Sequence, residues 1–369
     1  MKKYIFTMVI FILMLFCILF PEAMVNSTKN SLLLWWKIIL PSLFPFMILS
    51  NLITKTAIPK IFGKLLEPIM QFIFRLPGIS ALAVFLGMVG GYPVGAKITA
   101  DLRKENKISK NTANSLIKFT NNSGPLFISG AIGIGLYNNV KIGTLLLITH
   151  YISALVVGFL LKNSKETSSK NNPIGFEIIT FSNLGQTLNE AIKSAVTSVV
   201  SVGGFIILFS IISTILLETG IISLISNFIF PTLNKNVSYG IISGLLEVTN
   251  GVNLISTTAL PLNQKLVLTA TLVGFGGFSI HAQTLGVIAK TDIKISCYLI
   301  GKTLQGIIAG ILTYLALVYT NFSEILLTPV FSGISYNSYG FNAILSVITG
   351  TFVFIIIFKI FQTLIYRSK

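Results

Sequence analysis

The chain has 369 residues, of which 53% are hydrophobic and 10% charged, and its formal net charge is +16. Soluble domains carry about 25% charged residues, so this composition excludes a soluble protein and indicates a polytopic membrane protein. The basic residues are spread between apolar segments, which favours topology and contacts with membrane lipids over nucleic-acid binding. Two cysteines inside apolar runs are too few for a disulfide framework or a zinc site.

The N-terminal segment, residues 1–30, predicts one transmembrane helix. Two lysines precede its apolar run, and no small-residue cleavage site follows Pro21, so an uncleaved span is favoured over a signal peptide. At the other end, residues 321–369 predict an external connection followed by a C-terminal span that ends in basic residues. Both termini are therefore predicted to be cytoplasmic.

Two halves of the chain repeat the same order of features. GMVGGYPVGAK, which starts at Gly87, aligns with GLLEVTNGVNL, which starts at Gly244, after a shift of 157 residues. The same shift places the polar stretch 121–125 on residues 278–282. This pattern predicts an internal repeat. Besides the terminal segments, the predicted parts of the chain are a first repeat at 31–161, a cytoplasmic linker at 162–186 and a second repeat at 187–320.

The charges of equivalent segments predict opposite orientations for the two repeats. Residues 97–118 contain six basic residues, whereas the equivalent residues 254–275 contain only Lys265. By the positive-inside rule the first segment is cytoplasmic and the second external. The predicted fold is an all-α polytopic membrane protein with inverted-topology repeats and interrupted or re-entrant helices. Secondary transporters have this organisation, with sites near the membrane midplane.

Residues 119–130, FTNNSGPLFISG, put polar and helix-breaking residues between long apolar runs. Non-helical backbone at membrane depth is tolerated only where protein or a water-filled cavity satisfies its N–H and C=O groups. A loop at the membrane interface and a break that lines a cavity are both compatible with the stretch itself. The matching break one repeat later favours the cavity, with Asn121, Asn122 and Ser123 as candidate solute-binding residues.

The glycine-rich stretch GGYPVGAK begins at Gly90 and resembles a phosphate-binding loop, but it lacks the Lys-Ser/Thr pair that such a loop needs. A re-entrant tip, where glycines permit close backbone approach, is the better interpretation. Lys97 at its exit can attract an anionic solute, or it can simply mark the cytoplasmic side. The candidate binding residues of this stretch are Gly91, Tyr92, Pro93, Gly95 and Lys97.

Glu247 lies in the apolar segment equivalent to the glycine-rich stretch. An ionisable group at membrane depth is costly and is a functional hypothesis by default. We expect it to bind a coupling proton or cation, with Asn250 as a further ligand that can bind the solute. The alternative is that the segment ends early and Glu247 reaches water.

The second polar break, GFGGFSIHAQTLG, contributes Ser279, His281 and Gln283 as candidate solute-binding residues. The histidine can bind solute or take a proton, and a purely structural histidine is the alternative. No GxSxG, HExxH or nucleotide-binding motif occurs in a usable context. The sequence therefore predicts no enzymatic activity, no metal site and no cofactor.

GMVGGYPVGAKITADLRKENKIS followed by FTNNSGPLFISGAIGIG resembles the signature of the sporulation integral membrane protein YlbJ (SpoVV) family, and the likeness covers nearly the whole chain. Members contain gate-type, or nucleoside-recognition, domains. The resemblance implies a protein of the outer forespore membrane that moves dipicolinic acid toward the developing spore and is needed for spore maturation and cortex. The motif positions of the family fall on Gly91, Tyr92, Pro93, Gly95, Lys97, Asn121, Asn122 and Ser123.

The expected function is secondary-type transport of a small anionic solute, with dipicolinate as the first candidate. A planar dianion needs positive potential and hydrogen-bond donors, which the N-termini of interrupted helices, the asparagines and Lys97 can supply. Tyr92 can stack on its ring. A nucleoside or another small polar solute is the second hypothesis, and a structural protein of spore assembly without flux is the third. The sequence leaves open the coupling ion and whether the chain forms a homo-oligomer.

Overall fold

The computed structural model describes residues 2–56, 58–162 and 184–319. Over these residues the backbone forms α-helices with short 3₁₀ and π-helical segments, and no β-strand occurs among them. The predicted linker at 162–186 falls mostly outside the described residues, and the predicted C-terminal segment at 321–369 falls wholly outside them. The all-α class is confirmed.

Five helices of the described part are long and apolar enough to cross a membrane. A bent pair, Ile58–Phe74 followed by Gly78–Val89, turns by 92° at its break and raises the number of candidate spans to six. About 20 apolar helical residues cross the hydrocarbon core of a bilayer, so the chain is a polytopic membrane protein. The five candidates besides this bent pair are Pro21–Ile53, Val140–Leu160, Leu184–Glu218, Leu262–Ile288 and Ile295–Tyr319.

The described part of the first half contains eight α-helices, and a π-helical segment, Leu126–Leu136, precedes the last of them. Asn139 caps that last helix, since its side-chain oxygen accepts hydrogen bonds from the N–H groups of Lys141 and Ile142 at 2.9 and 3.4 Å. The helices are α1 (Lys2–Leu19), α2 (Pro21–Leu34), α3 (Leu40–Ile53), α4 (Ile58–Ile69), α5 (Ala81–Val89), α6 (Val94–Lys104), α7 (Lys110–Leu116) and α8 (Val140–Leu160).

The second half has seven α-helices in its described part. Gly276 and Gly277, with φ of +89° and +75°, end one helix and start the next, because glycine enters the left-handed region without a steric penalty. The helices are α9 (Leu184–Glu218), α10 (Ile221–Ile229), α11 (Lys235–Leu246), α12 (Val248–Thr257), α13 (Leu262–Phe275), α14 (Gly277–Ile288) and α15 (Ile295–Tyr319).

The order of helices in the two halves agrees with the predicted repeat. α5 ends at Val89 and α11 ends at Leu246, 157 residues later, and each is followed by a break and a second short helix. The amphipathic helices α4 and α10 occupy equivalent places, as do the long helices α8 and α15, which pack against each other. The orientation of the halves in the membrane and the exact boundaries of the repeats stay predictions.

Glycines bring the broken segments into backbone contact. A Cβ on Gly95 would lie 1.9 Å from the main-chain oxygen of Thr120, and one on Gly87 would lie 2.0 Å from the same atom. A Cβ on Gly301 would lie 2.0 Å from the main-chain oxygen of Lys118. Three helices, α5, α6 and α15, therefore pack directly on the backbone of the break that follows α7.

At an exposed end of the helices, Arg103 of α6 makes two hydrogen bonds, of 2.9 and 3.0 Å, to the carboxylate of Asp292, which precedes α15. The hydrogen bonds from the guanidinium hold the pKa of Asp292 below its ordinary range. The pair therefore stabilises the fold above the ordinary carboxyl pKa, and the effect is lost as pH falls through the lowered pKa. Exposure keeps this contribution small.

Candidate functional site

The broken segments of the two halves meet around a buried lysine, Lys302 of α15, whose side chain is 0% exposed. Its ammonium donates to Gln305 Oε1 at 2.7 Å, one turn further along the same helix. It also lies 3.1 Å from the hydroxyl of Tyr92 and 3.2 Å from the main-chain oxygen of Asn121. All three acceptors are neutral.

Gln305 extends this network to the next residue of the break and to α8. Its Nε2 donates to Asn122 Oδ1 at 2.9 Å and to the main-chain oxygen of His150 at 3.3 Å. The side-chain amide of Asn122 in turn donates to the main-chain oxygen of Phe119 at 2.8 Å. We call Tyr92, Asn121, Asn122, Lys302 and Gln305 the Lys302 cluster.

Tyr92 connects the first break to the second half of the chain. Its hydroxyl donates to the main-chain oxygen of Val273 in α13 at 3.1 Å and accepts from Lys302. The ammonium of Lys302 lies 5.1 Å from the centre of the tyrosine ring, within the range of a cation–π contact. Tyr92 therefore meets the ammonium through both its hydroxyl and its ring.

The neighbours of Tyr92 shape the tip of the first break. Gly91 has φ +71°, and a Cβ there would lie 2.9 Å from the side chain of Leu43 and 3.1 Å from the main-chain nitrogen of Gly124. Pro93 follows Tyr92 through a cis peptide bond and precedes α6. Gly91, like Gly95, takes part in close backbone packing beside the Lys302 cluster.

Asn121 links the Lys302 cluster to α14 and α15. Its side-chain amide donates to Thr284 Oγ1 at 2.9 Å and to the hydroxyl of Tyr298 at 3.3 Å. The imidazole of His281 packs edge-on against the ring of Tyr298, with the ring centres 5.3 Å apart. Asn121 Oδ1 and both ring nitrogens of His281 are buried and have no hydrogen-bond partner among the described residues.

The other predicted residues of the two polar breaks lie nearby in different environments. The main-chain N–H of Ser123 donates to the imidazole of His150 at 3.1 Å. Gln283 and Ser279 are both buried, and their side chains lie 3.5 Å apart. Because Gln283 is two residues from His281 along α14, the two side chains point to different faces of the helix.

Lys97 lies apart from the Lys302 cluster. Its ammonium donates to Asn51 Oδ1 of α3 and to the hydroxyl of Ser194 of α9, both at 2.6 Å. Beside it is a cavity of about 20 Å³, also lined by Pro93 and Asp101, which has the volume of a water molecule. Lys97 thus joins three helices on the far side of the first break.

Glu247 and Asn250 form a second polar group, at the break between α11 and α12. The carboxylate of Glu247 is 2% exposed and caps α12 by accepting from the N–H groups of Thr249 and Asn250, at 3.1 and 2.9 Å. The side chain of Asn250 donates to the hydroxyl of Ser210 in α9 at 2.8 Å. Within the described ranges, Glu247 is neither exposed to water nor in an ion pair.

Our reading of the sequence overlooked three residues of the site: Lys302, Gln305 and Tyr298. Lys302 stands in the apolar run YLIGKTLQG of α15. That signal is the one that singled out Glu247, an ionisable residue in a candidate span. Gln305 and Tyr298 have no such signal, because their roles follow from packing against a break about 180 positions away.

The arrangement is suited to recognition by charge and hydrogen bonds. Lys302 supplies a buried basic group, and the surrounding amides and hydroxyls supply donors and acceptors. Across the described residues, no group of three or more His, Cys, Asp or Glu side chains is placed to hold a metal ion. All five members of the Lys302 cluster are buried, so a solute reaches them only when the packed elements separate.

A family model described as "Gate: Nucleoside recognition" matches residues 36–164, which include the first break and the break after α7. Over 317 residues the chain is 36% identical to the sporulation integral membrane protein YlbJ of Bacillus subtilis (strain 168). That match covers 80% of this chain and 78% of the relative. No solved structure matches the chain.

Broken helices that meet at a buried polar cluster, together with a gate domain, are features of transporter-like membrane proteins, and neither match is to an enzyme family. This sequence identity, over most of both chains, agrees with the family resemblance of the stretches that begin at Gly87 and Phe119. The chain belongs to the sporulation integral membrane protein YlbJ family.

Proposed function

We propose that this chain is a secondary-type transporter that moves a small anionic solute, dipicolinate, across the outer forespore membrane during sporulation. The name of the Bacillus relative supports the setting, since it is a sporulation integral membrane protein. The single observation that carries the proposal is Lys302, a fully buried ammonium with no carboxylate within 4.0 Å among the described residues.

The physical reason is the cost of an uncompensated buried charge. An ammonium held only by neutral acceptors has lost much of its hydration without gaining a counter-charge. An anionic solute would supply that charge at the place where the broken segments meet. Dipicolinate is small, planar and doubly negative, and the ring of Tyr92 beside Lys302 offers a surface for an aromatic solute.

A nucleoside is the second candidate solute, and the description of the gate domain as nucleoside recognition favours it. The amides of Asn121 and Asn122 and the ring of Tyr92 suit a nucleobase, but an uncharged solute would leave Lys302 without a counter-charge. The third hypothesis, a structural protein of spore assembly, gives no reason for a buried unpaired ammonium.

Uptake into liposomes tests the proposal directly. We expect liposomes that contain the purified protein to take up labelled dipicolinate saturably, whereas empty liposomes do not. An excess of unlabelled uridine should leave this uptake unchanged, and Asn122→Ala should abolish it, because Gln305 loses its side-chain hydrogen bond to the break. Inhibition by uridine would favour the nucleoside. Absence of uptake by folded protein under every ion gradient would favour the structural hypothesis.

Glu247 is the proposed site of the coupling proton or cation. We expect Glu247→Gln to lose gradient-driven accumulation while exchange of dipicolinate across the membrane continues, because an amide binds neither a proton nor a cation as a carboxylate does. Glu247→Asp is the matched control, since aspartate keeps both the charge and the ability to cap α12. Full gradient-driven flux in Glu247→Gln would show that coupling does not depend on this carboxylate.

The proposed topology places both termini in the cytoplasm and the two repeats in opposite orientations. Lys104 and Asn263 are exposed residues at the ends of equivalent segments. After replacement of the two native cysteines, we expect Lys104→Cys to react with a membrane-impermeant maleimide only from the cytoplasmic side. Asn263→Cys should react only from the opposite side. Labelling of both from one side would contradict the inverted repeat.

A further inference from the structure

The side chain of Gln305 has two kinds of contact, and their chemistry fixes its orientation. Lys302 can only donate and the main-chain oxygen of His150 can only accept, so Oε1 faces the ammonium and Nε2 faces the carbonyl. The distances are 2.7 and 3.3 Å. The end of Gln305 is therefore a carboxamide held with an acceptor on one side and a donor on the other.

Gln305 is the most easily displaced ligand of the ammonium. The hydroxyl of Tyr92 is held in place by its bond to Val273, and the third ligand is the main-chain oxygen of Asn121. Gln305 instead reaches Lys302 through its own flexible side chain, from three positions further along the same helix. Rotation about its side-chain bonds frees the ammonium without any movement of the backbone.

The same rotation also breaks two hydrogen bonds between α15 and its neighbours. The Nε2 of Gln305 joins α15 to Asn122 in the break and to His150 in α8. When this one side chain moves away, Lys302 loses one of its three acceptors, and the hydrogen bonds that join α15 to Asn122 and His150 break at the same time. Binding of a solute at that position is thereby linked to separation of the packed elements.

We infer that Gln305 is an internal substitute for the solute: in the closed state its carboxamide fills the subsite that a carboxyl group of the solute takes on loading. This inference rests on the proposed function for the identity of the solute. The contacts of Gln305 then define the chemical group that replaces it. That group presents an oxygen to Lys302 and a hydrogen-bond donor to Asn122 and His150.

A primary carboxamide meets both requirements with its two N–H groups, and a protonated carboxyl group presents the oxygen and donates its single O–H to one of the two acceptors. A carboxylate meets only the first, because its second oxygen would face the main-chain oxygen of His150, which cannot turn away as a side chain can. The subsite thus selects a dicarboxylate that carries one proton. Such a solute is still an anion: its second carboxyl group stays ionised and supplies the counter-charge that Lys302 lacks, and the solute brings one proton into the transporter with it.

Small probes of the size of the glutamine end group test the subsite without the natural solute. In purified full-length protein, Gln305→Ala removes the carboxamide, and we expect acetamide to raise the thermal unfolding midpoint of this variant. Acetate at neutral pH has the same shape but no donor for the main-chain oxygen of His150, and it should stabilise the variant less than acetamide does. Neither probe should stabilise wild type or Gln305→Leu, where the space is filled. If Gln305→Ala cannot be purified, Gln305→Ser takes its place.

Dipicolinate binding supplies the second measurement. Loss of the internal competitor should make binding to Gln305→Ala about tenfold tighter than to wild type, the factor expected when a hydrogen bond to a charged group no longer has to be displaced. Weaker binding to Gln305→Ala together with no effect of acetamide would overturn the inference, as would equal stabilisation by acetate and acetamide. Stabilisation by acetamide without dipicolinate binding to either protein would support the subsite and reject dipicolinate as the solute.

Discussion

Lys302→Met should abolish saturable dipicolinate uptake while the protein stays folded. Methionine has a similar length and no charge, so the variant keeps much of the packing but loses the one buried cation of the Lys302 cluster. We expect uptake at low dipicolinate concentration to fall by about 100-fold, which corresponds to loss of about 3 kcal/mol of charge-assisted hydrogen bonding. Initial uptake rates in liposomes measure this effect.

The stability of the same variant separates a binding role from a structural one. Methionine removes the cost of burying an amino group without an ionic partner but leaves the oxygens of Asn121 and Gln305 without their donor, so we expect the unfolding midpoint of Lys302→Met to fall only modestly. Lys193→Met, at an exposed position of α9, is the matched control and should leave uptake unchanged. Uptake by Lys302→Met at the wild-type rate would contradict the proposed site.

Gly95→Ala should cause a large loss of stability. The new Cβ would lie 1.9 Å from the main-chain oxygen of Thr120, and backbone cannot yield as the end of a flexible side chain can. Either α6 or the break that carries Asn121 must move, at an expected cost of about 3 kcal/mol or more. The thermal unfolding midpoint of the purified protein, compared with wild type in the same detergent, measures this loss.

The matched control for this substitution is Gly204→Ala in α9, where a Cβ would meet no atom within 4 Å. Alanine is favoured over glycine inside a helix by about 1 kcal/mol, so this variant should be as stable as wild type or slightly more so. Similar unfolding midpoints for Gly95→Ala and Gly204→Ala would show that α6 does not pack on the break as described.

Several features of the site could be predicted because they are local. The run of Asn121, Asn122 and Ser123 breaks a helix by its own composition, and adjacent glycines at 276 and 277 do the same one repeat later. The apolar runs indicate that the protein lies in a membrane. The shift of 157 residues equals the distance along the chain between the ends of α5 and α11. Each of these signals is contained within a short window of residues.

Other features needed the packed chain. Lys97 and Lys302 each follow a short glycine-containing apolar stretch of the sequence, and only packing shows that Lys97 joins α3 to α9 whereas Lys302 stands at the meeting of the breaks. Glu247 illustrates the same limit. Its isolation in an apolar run was visible, but its capping of α12 depends on the backbone turn that the break creates.

By itself, the sequence determined the membrane class, the places where helices break and the supply of polar groups at those breaks, since composition and local steric preference act over a few residues. Tertiary structure decided which of those groups share one site. Gln305 and Asn122 are 183 positions apart in the chain and 2.9 Å apart in space, and no local preference encodes that distance. It follows from the packing of α15 on the break after α7, where Gly301 permits close backbone contact.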